Sequence, residues 1–339
     1  MGLFGSDITG IDIGTGSIKV VRVEAGRRPK LLSAGILELP LDAGKPADAG
    51  AGLGIFQAGG KLGKKIVTLL PGKDLTIRHL TFPKMPLAEL REAVRWESKR
   101  HISYPLESAI VEFLILGEKQ EGTVDKYDVL FVAAERDTVV RHLAPFNQAK
   151  LSVSAVDANP LALRNALRFR EKPADGNTLF IDMGAGKTEI NIFRSGSLRF
   201  SRCLETGGSD MTRVVAEELG IPSEDAEALK KKTDVSAAPD ADRAAVALRA
   251  KLDGILLEIR RSVEYYKTIF REKSVESAIL TGGVALMPGI RDYFARGLET
   301  GTEIDDPFAG CSAREDILRE FGSLSPRFSA ALGLALRKA

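Results

Sequence analysis

Five residues near the N-terminus, Asp12-Ile13-Gly14-Thr15-Gly16, return in mid-chain as Asp182-Met183-Gly184-Ala185-Gly186. The two aspartates stand 170 positions apart, half of a chain of 339 residues. In each copy an apolar, β-branched run ends at the Asp, the Gly-x-Gly supplies a reversal, and two further strands follow. The first set is Ile8 to Ile13, Ile18 to Val23 and Leu31 to Leu39; the second is Thr178 to Asp182, Glu189 to Phe193 and Leu198 to Leu204. A five-residue pattern repeats easily by chance. The same pattern inside the same hairpins, half a chain apart, does not. The reading is an α/β protein of two similarly folded lobes facing a cleft, each long enough to bury a core.

Between the copies the pattern changes. Residues 41–64 are rich in Gly, Ala and Asp and predict at best a poor helix, since each interior glycine costs about 0.5–1 kcal/mol relative to Ala. Lys65 to Leu70 is a buried strand that stops at Pro71-Gly72. From 73 to 153 the chain reads as an α/β insertion. Its strand Leu75 to Phe82 precedes a helix opened by Pro86, with Leu87, Leu90 and Val94 on one face and Tyr104-Pro105 as the stop. Two strands follow, Ala109 to Leu116 and Tyr127 to Ala134, around a polar turn at 117–126, then a helix near 136–149. Beyond the second copy, Leu248, Leu252, Ile255, Ile259, Val263, Tyr266 and Phe270 give one apolar face to a helix over about 241–272. A strand Val275 to Leu280 runs into Thr281-Gly282-Gly283, and Phe328 to Leu336 reads as a closing helix.

A Gly-rich hairpin turn aims several backbone N–H groups at one anion and lets a phosphate approach without a Cβ in its way. Two such turns on opposed lobes would clasp a polyphosphate. Asp12 and Asp182 would then reach a divalent cation on it through water, as Mg²⁺ prefers. Gly282 and Gly283 would let a nucleoside lie against the backbone. Two more familiar phosphate motifs fail. Gly184-Ala185-Gly186-Lys187-Thr188 looks like the tail of a P-loop, but Ile181 stands where the first glycine belongs and a strand follows instead of a helix. Gly14 to Lys19 lacks the third glycine of a dinucleotide fingerprint and also enters a strand.

Composition removes other classes. Lys+Arg 48 against Asp+Glu 46 leaves a net charge of +2, which argues against an electrostatic nucleic-acid binder. Two cysteines, Cys203 and Cys311, and three scattered histidines, His79, His101 and His142, make neither a disulfide framework nor a zinc or histidine centre. No apolar run approaches the roughly 18 residues that span a bilayer, so the expectation is a soluble, cytoplasmic chain. Met1 to Ser6 satisfies the loose N-myristoylation pattern, which two glycines in six residues match by chance; a frayed N-terminus is the plainer reading.

These residues resemble the superfamily of actin, sugar kinases and heat-shock chaperone ATPases, whose two lobes are duplicated ribonuclease H-like domains. Gly10 to Gly16 is similar to its first phosphate motif, Ile181 to Thr188 to its second, and Leu280 to Ala285 to its adenosine motif. Glu258, Arg261 and Ser262 lie on the long helix where relatives place polar contacts to the nucleoside. Within the superfamily the chain resembles the PilM-like proteins of type IV pilus assembly over nearly its whole length. Pro86 to Leu90, Val94 to Glu97 and Ile102 to Glu107 are similar to the family's FtsA-like inserted subdomain, and Glu205 to Gly208 and Ala331 to Arg337 also match.

The resemblance implies a first lobe of residues 1–72 and 154–175 and an inserted subdomain at 73–153. It gives 176–209 and 273–339 to the second lobe and 210–272 to a helical subdomain. It implies ATP and Mg²⁺ as cofactors. The nucleotide would be held by Asp12, Gly14, Thr15, Gly16, Ser17 and Lys19 on one side. Asp182, Gly184, Ala185, Gly186, Lys187, Thr188, Gly207 and Gly208 would hold it on the other, with Glu258, Arg261, Ser262, Gly282 and Gly283 at the nucleoside. It implies as partner the N-terminal cytoplasmic peptide of a PilN-like inner-membrane protein, which would bring the chain to the membrane's inner face. Heat-shock relatives carry a Glu before a Pro in the segment returning to the first lobe; here Asn159 precedes Pro160, with Asp157 two residues earlier. A neutral amide orients water but takes no proton, so hydrolysis is expected to be slow or absent and no catalytic residue is assigned. Residues 41–64 and 309–325 fit the family poorly and are expected to be locally disordered. The alternatives are an FtsA-like filament-forming membrane adaptor and a small-molecule kinase of the same fold, which would need a carboxylate base beside the γ-phosphate.

Overall fold

A computed structural model describes residues 7–39, 49–170, 176–237 and 242–337. The myristoylation pattern and residues 41–48 of the Gly-rich stretch lie outside them. The chain runs β1 (Asp7–Ile13), β2 (Ser17–Glu24), β3 (Lys30–Glu38), α1 (Ala49–Ala58) and β4 (Lys65–Leu70), then β5 (Thr76–Pro83), α2 (Leu87–Ser98), β6 (Ala109–Glu121) and β7 (Val124–Glu135). It continues with α3 (Arg136–Gln148), β8 (Val153–Ala158), α4 (Asn159–Leu167), β9 (Asn177–Met183), β10 (Thr188–Arg194) and β11 (Ser197–Leu204). Helices α5 (Gly208–Leu219), α6 (Ser223–Lys230) and α7 (Arg243–Phe270) follow, then β12 (Ser277–Thr281), α8 (Ile290–Leu298), β13 (Thr302–Ile304), β14 (Ser312–Ala313), α9 (Glu315–Phe321) and α10 (Ser329–Ala335).

The duplication is topological. One sheet is ordered β14-β3-β2-β1-β4-β8 and the other β11-β10-β9-β12-β13. In each, the strand bearing the Asp is central, antiparallel to its hairpin partner and parallel to the strand on its other side. Both hairpins close through the same backbone bond, Gly14 N–H to Ser17 O at 3.0 Å and Gly184 N–H to Lys187 O at 2.9 Å. Between the sheets lie α4 and α10, whose Ala162, Leu163 and Leu334 pack with Phe180, Phe193 and Ile279 in one buried cluster. Burying such a side chain is worth about 1.5–3 kcal/mol each, so this seam ties the lobes together at their base.

The α7 periodicity holds: Leu248, Leu252, Ile255, Ile259 and Tyr266 are buried in the second lobe's core. Several boundaries move. Helix α2 ends at Ser98, ahead of Tyr104-Pro105. The polar 117–126 segment is strand for most of its length, because β6 and β7 pair from Ala109↔Glu135 out to Glu121↔Val124. The Gly-rich stretch does contain a helix, α1, whose Leu53 and Phe56 are buried against the first sheet. The expected disorder at 309–325 is replaced by β14 and α9; β14 extends the first sheet beside β3, and Ile317 and Phe321 bury against Val21, Val23 and Leu31.

That packing also redraws the expected domains. β14 and α9 serve the first sheet, and α10 lies against β1 while Pro326 accepts from Thr281 Oγ1 and Gly282 N–H of the second lobe. Helix α3 likewise belongs to the first lobe: Phe146 is buried with Ile11 and Ile18. What remains as an inserted unit is the sheet β5-β7-β6 with α2 on one face, where Leu90 and Val94 meet Val129 and Phe131.

Candidate functional site: a cleft between two glycine hairpins

The cleft between the lobes has a volume of about 560 Å³ and is lined by both hairpin turns. The turns touch: a Cβ on Gly186 would stand 2.8 Å from Thr15 Oγ1, and one on Gly16 would stand 2.8 Å from the Ala185 Cβ. Neither turn could carry a side chain there and keep this approach. Of the residues singled out in the sequence, Asp12, Gly14, Thr15, Gly16, Ser17, Lys19, Asp182, Gly184, Ala185, Gly186, Lys187, Gly208, Gly282 and Gly283 all line the cleft.

The two hairpins share a register but not a charge pattern. Asp12 sits opposite Lys19, and Lys19 Nζ donates to Asp12 Oδ2 at 2.9 Å. Asp182 sits opposite Glu189, a like-charge pair that a sheet tolerates poorly. Lys187, one turn away, donates to Glu189 Oε1 at 2.5 Å, and Asn159 Nδ2 donates to Asp182 Oδ2 at 3.1 Å. Burial, and then the Glu189 carboxylate, push Asp182 up to about 6. Burial alone would lower the Lys187 ammonium; Glu189, then Asp182 and Asp12, outweigh it and hold the group above its usual range. The second hairpin therefore carries two acidic groups and one cation. Asp12 and Asp182 both border the cleft. Among the described residues no trio of His, Cys, Asp and Glu gathers into a direct metal cage.

Five expected site residues lie off the cleft. Thr188 is fully buried and its hydroxyl donates to Thr206 O at 2.8 Å. Gly207 backs the second turn, where a Cβ would strike Ala185 O at 2.5 Å. Glu258, Arg261 and Ser262 face β11 instead: Arg202 donates to Glu258 Oε2 at 2.7 Å and to Ser262 Oγ at 3.0 Å, and Arg261 pairs with Glu258. The polar wall comes from α6 and its C-cap, through Glu227, Lys230 and Lys231. Lys230 Nζ is buried and donates to Gly208 O at 2.9 Å, Thr212 Oγ1 at 2.8 Å and Glu227 Oε2 at 2.5 Å. Sequence reading missed this wall because a short helix of mixed charge shows no sign of burial until α5 packs beside it. Arg327 was missed too; it pairs with Glu38 and donates to Ser17 Oγ at 3.1 Å beside the first turn. Asp157 is occupied elsewhere, by Ala158 N–H at 2.8 Å and Arg337 Nε at 3.1 Å.

Duplicated five-strand cores, an interlobe cleft and paired glycine hairpins define the actin-like ATPase fold. The chain belongs to the type IV pilus assembly protein PilM family, whose model matches residues 10–339. Among solved structures it is similar to a PilM-PilN type IV pilus biogenesis complex, with TM-score 0.83 and 27% identity over 98% of each chain. It also shares its fold with the ethanolamine utilization protein EutJ of Carboxydothermus hydrogenoformans, with TM-score 0.59 and 17% identity over 98% of this chain and 89% of that one. Among curated proteins it is similar to the cell division protein FtsA of Borreliella burgdorferi, 25% identical over 70% of this chain and 58% of that protein. FtsA of Rhizobium meliloti is 27% identical over 63% and 52%. The chain thus spans about half the length of the curated relatives it matches. Among the described residues no helix is long and apolar enough to cross a membrane.

Proposed function

We propose that this chain is a nucleotide-binding scaffold of type IV pilus assembly. It takes ATP–Mg²⁺ in the interlobe cleft and holds the N-terminal cytoplasmic peptide of a PilN-like inner-membrane protein, which places it at the membrane's inner face. The observation that carries the nucleotide reading is the meeting of two glycine turns across a cleft that also presents Asp12, Asp182, Lys19 and Lys187. The partner reading rests on the likeness to a PilM-PilN complex over the whole chain. Bound nucleotide would shift lobe closure only by binding the closed form more tightly than the open one. Isothermal titration with ATP–Mg²⁺ and with a synthetic PilN-like N-terminal peptide tests both halves; absence of heat with ATP removes the first, and absence of heat with the peptide removes the second.

Hydrolysis should be slow. Asn159 is the polar group beside Asp182, its amide donates there, and it offers no base. Phosphate release should fall at least a thousandfold below the typical enzyme median of about 10 s⁻¹. A malachite-green assay giving turnover near that median would refute the scaffold reading and revive a kinase or ATPase.

Affinity should also depend on pH with a defined sign. A cation beside Asp182 needs the carboxylate, and a carboxyl raised to about 6 holds its proton below that pH. Lowering the pH from 7 to 5 at saturating magnesium should therefore weaken ATP–Mg²⁺ binding about tenfold. A flat profile would place the cation elsewhere.

A filament-forming adaptor like FtsA is the second reading, favoured by the match to FtsA proteins at 21–29% identity. ATP-dependent light scattering by the purified chain would support it.

A further inference from the structure

Glu189 is not part of the cleft wall, yet it joins two places that the chain keeps far apart in sequence. Its Oε1 accepts from Lys187 Nζ at 2.5 Å and from Gly72 N–H at 3.0 Å. Lys187 belongs to the second phosphate turn and lines the cleft. Gly72 opens the short 3-10 turn Gly72–Asp74 that follows β4, the point where the chain leaves the first sheet for the inserted unit and its first strand β5. The fit at Gly72 is close: a Cβ there would stand 3.1 Å from Glu189 Oε2. The Glu189 side chain is 1% exposed, and its Oε2 has no hydrogen-bond partner among the described residues.

We propose that Glu189 is a positioning residue through which phosphate in the cleft reaches the root of the inserted subdomain, by way of Lys187 on one side and Gly72 on the other. This rests on the cleft binding a polyphosphate. Lys187 is 22% exposed and borders the cleft, so an arriving phosphate competes with Glu189 for its ammonium. A buried carboxylate deprived of its cation depends on its remaining donors. Among the described residues the one that remains is the Gly72 amide. Phosphate binding therefore tightens the Glu189–Gly72 bond and draws the 72–76 segment toward β10. The inserted unit is also tied to the second lobe further out, where Asp128 pairs with Arg199 and His79 stands edge-on to Phe270, with centroids 5.7 Å apart. A pull at Gly72 against that outer tie changes the set of β5 and α2 relative to the first lobe. The first hairpin has no counterpart, because Lys19 stands where Glu189 does and satisfies Asp12 directly.

Hydrogen exchange on the full chain with and without ATP–Mg²⁺, alongside titration, tests this. In the unsubstituted protein, exchange over residues 72–76 should slow about fivefold on nucleotide binding, because the Glu189 carboxylate then bears on the Gly72 amide without sharing that oxygen with Lys187. Glu189→Gln keeps the acceptor for Gly72 but releases Lys187. It should bind ATP–Mg²⁺ about fivefold tighter, because Lys187 no longer leaves a carboxylate to meet the phosphate, and residues 72–76 should no longer respond. Mere damage to the fold would weaken binding instead. If that variant does not fold, Lys187→Gln removes the same link from the other side and should bind more weakly, again with no response at 72–76. Nucleotide binding with unchanged exchange at 72–76, or a full response in Glu189→Gln, overturns the relay alone. No binding to the unsubstituted protein overturns the cleft reading, and the relay with it.

Discussion

Asp182→Ala should lower ATP–Mg²⁺ affinity at least 100-fold, about 2.7 kcal/mol, without lowering the melting temperature. The two halves of that result come from one fact. Asp182 is buried opposite Glu189, and its carboxyl is pushed up to about 6 by burial and then by that neighbour. A group raised in the folded state contributes most below its unfolded value of 3.8 and loses that contribution as the pH rises through about 6. At neutral pH its ionisation costs the apo fold about 3 kcal/mol. Removing it relieves that cost, less the hydrogen bond from Asn159, so the fold holds or gains. The cation loses its anchor on one side of the cleft. Asp12→Ala should likewise abolish magnesium dependence, but it frees Lys19 from its 2.9 Å partner and leaves some metal-free nucleotide affinity. Titration with and without magnesium, beside a thermal melt, separates the cases. Unchanged affinity in Asp182→Ala would mean that the hairpins hold something other than a nucleotide phosphate.

Gly333→Val should destabilise the fold by about 4 kcal/mol or more, beyond the usual cost of overpacking, because the clash is with backbone. A Cβ on Gly333 would stand 1.8 Å from the Ala162 carbonyl oxygen, so α10 could not keep its approach to α4. Every residue of α10 is buried, and that helix closes the seam between the sheets. Gly254→Ala is the control. Gly254 lies within α7 with open space where its Cβ would go, and alanine there should stabilise by about 0.5–1 kcal/mol through the unfolded chain and helix propensity. Urea unfolding of both variants decides it. Equal stability of Gly333→Val and the parent would mean that α10 does not hold the lobes.

Periodicity and turn chemistry are local properties, and they carried most of the fold. The apolar runs of β1, β2, β9 and β10 follow from central strands covered on both faces, and the α7 stripe follows from one buried face per helix. The glycine turns were legible as a repeated Gly-x-Gly after each aspartate, although what excludes a Cβ at Gly16 and Gly186 is the approach of the opposite turn rather than the reversal itself. Glu258, Arg261 and Ser262 show the limit: a polar triplet at helical spacing fits a cleft or an ion-pair cluster equally well, and Arg202 on a neighbouring strand made it the latter.

By itself the sequence determined the duplicated hairpin and the aspartate at each strand's end, because each copy is written within a dozen adjacent residues. Tertiary structure alone decided which lobe owns the C-terminal segment, since a short strand and a helix become part of a sheet only when that sheet's edge and face are present to receive them. It also decided the charge of the second hairpin. Asp182, Lys187 and Glu189 are three ordinary ionisable residues in the chain, and burial beside one another is what makes a carboxyl hold its proton to about pH 6 and an ammonium cling to its charge.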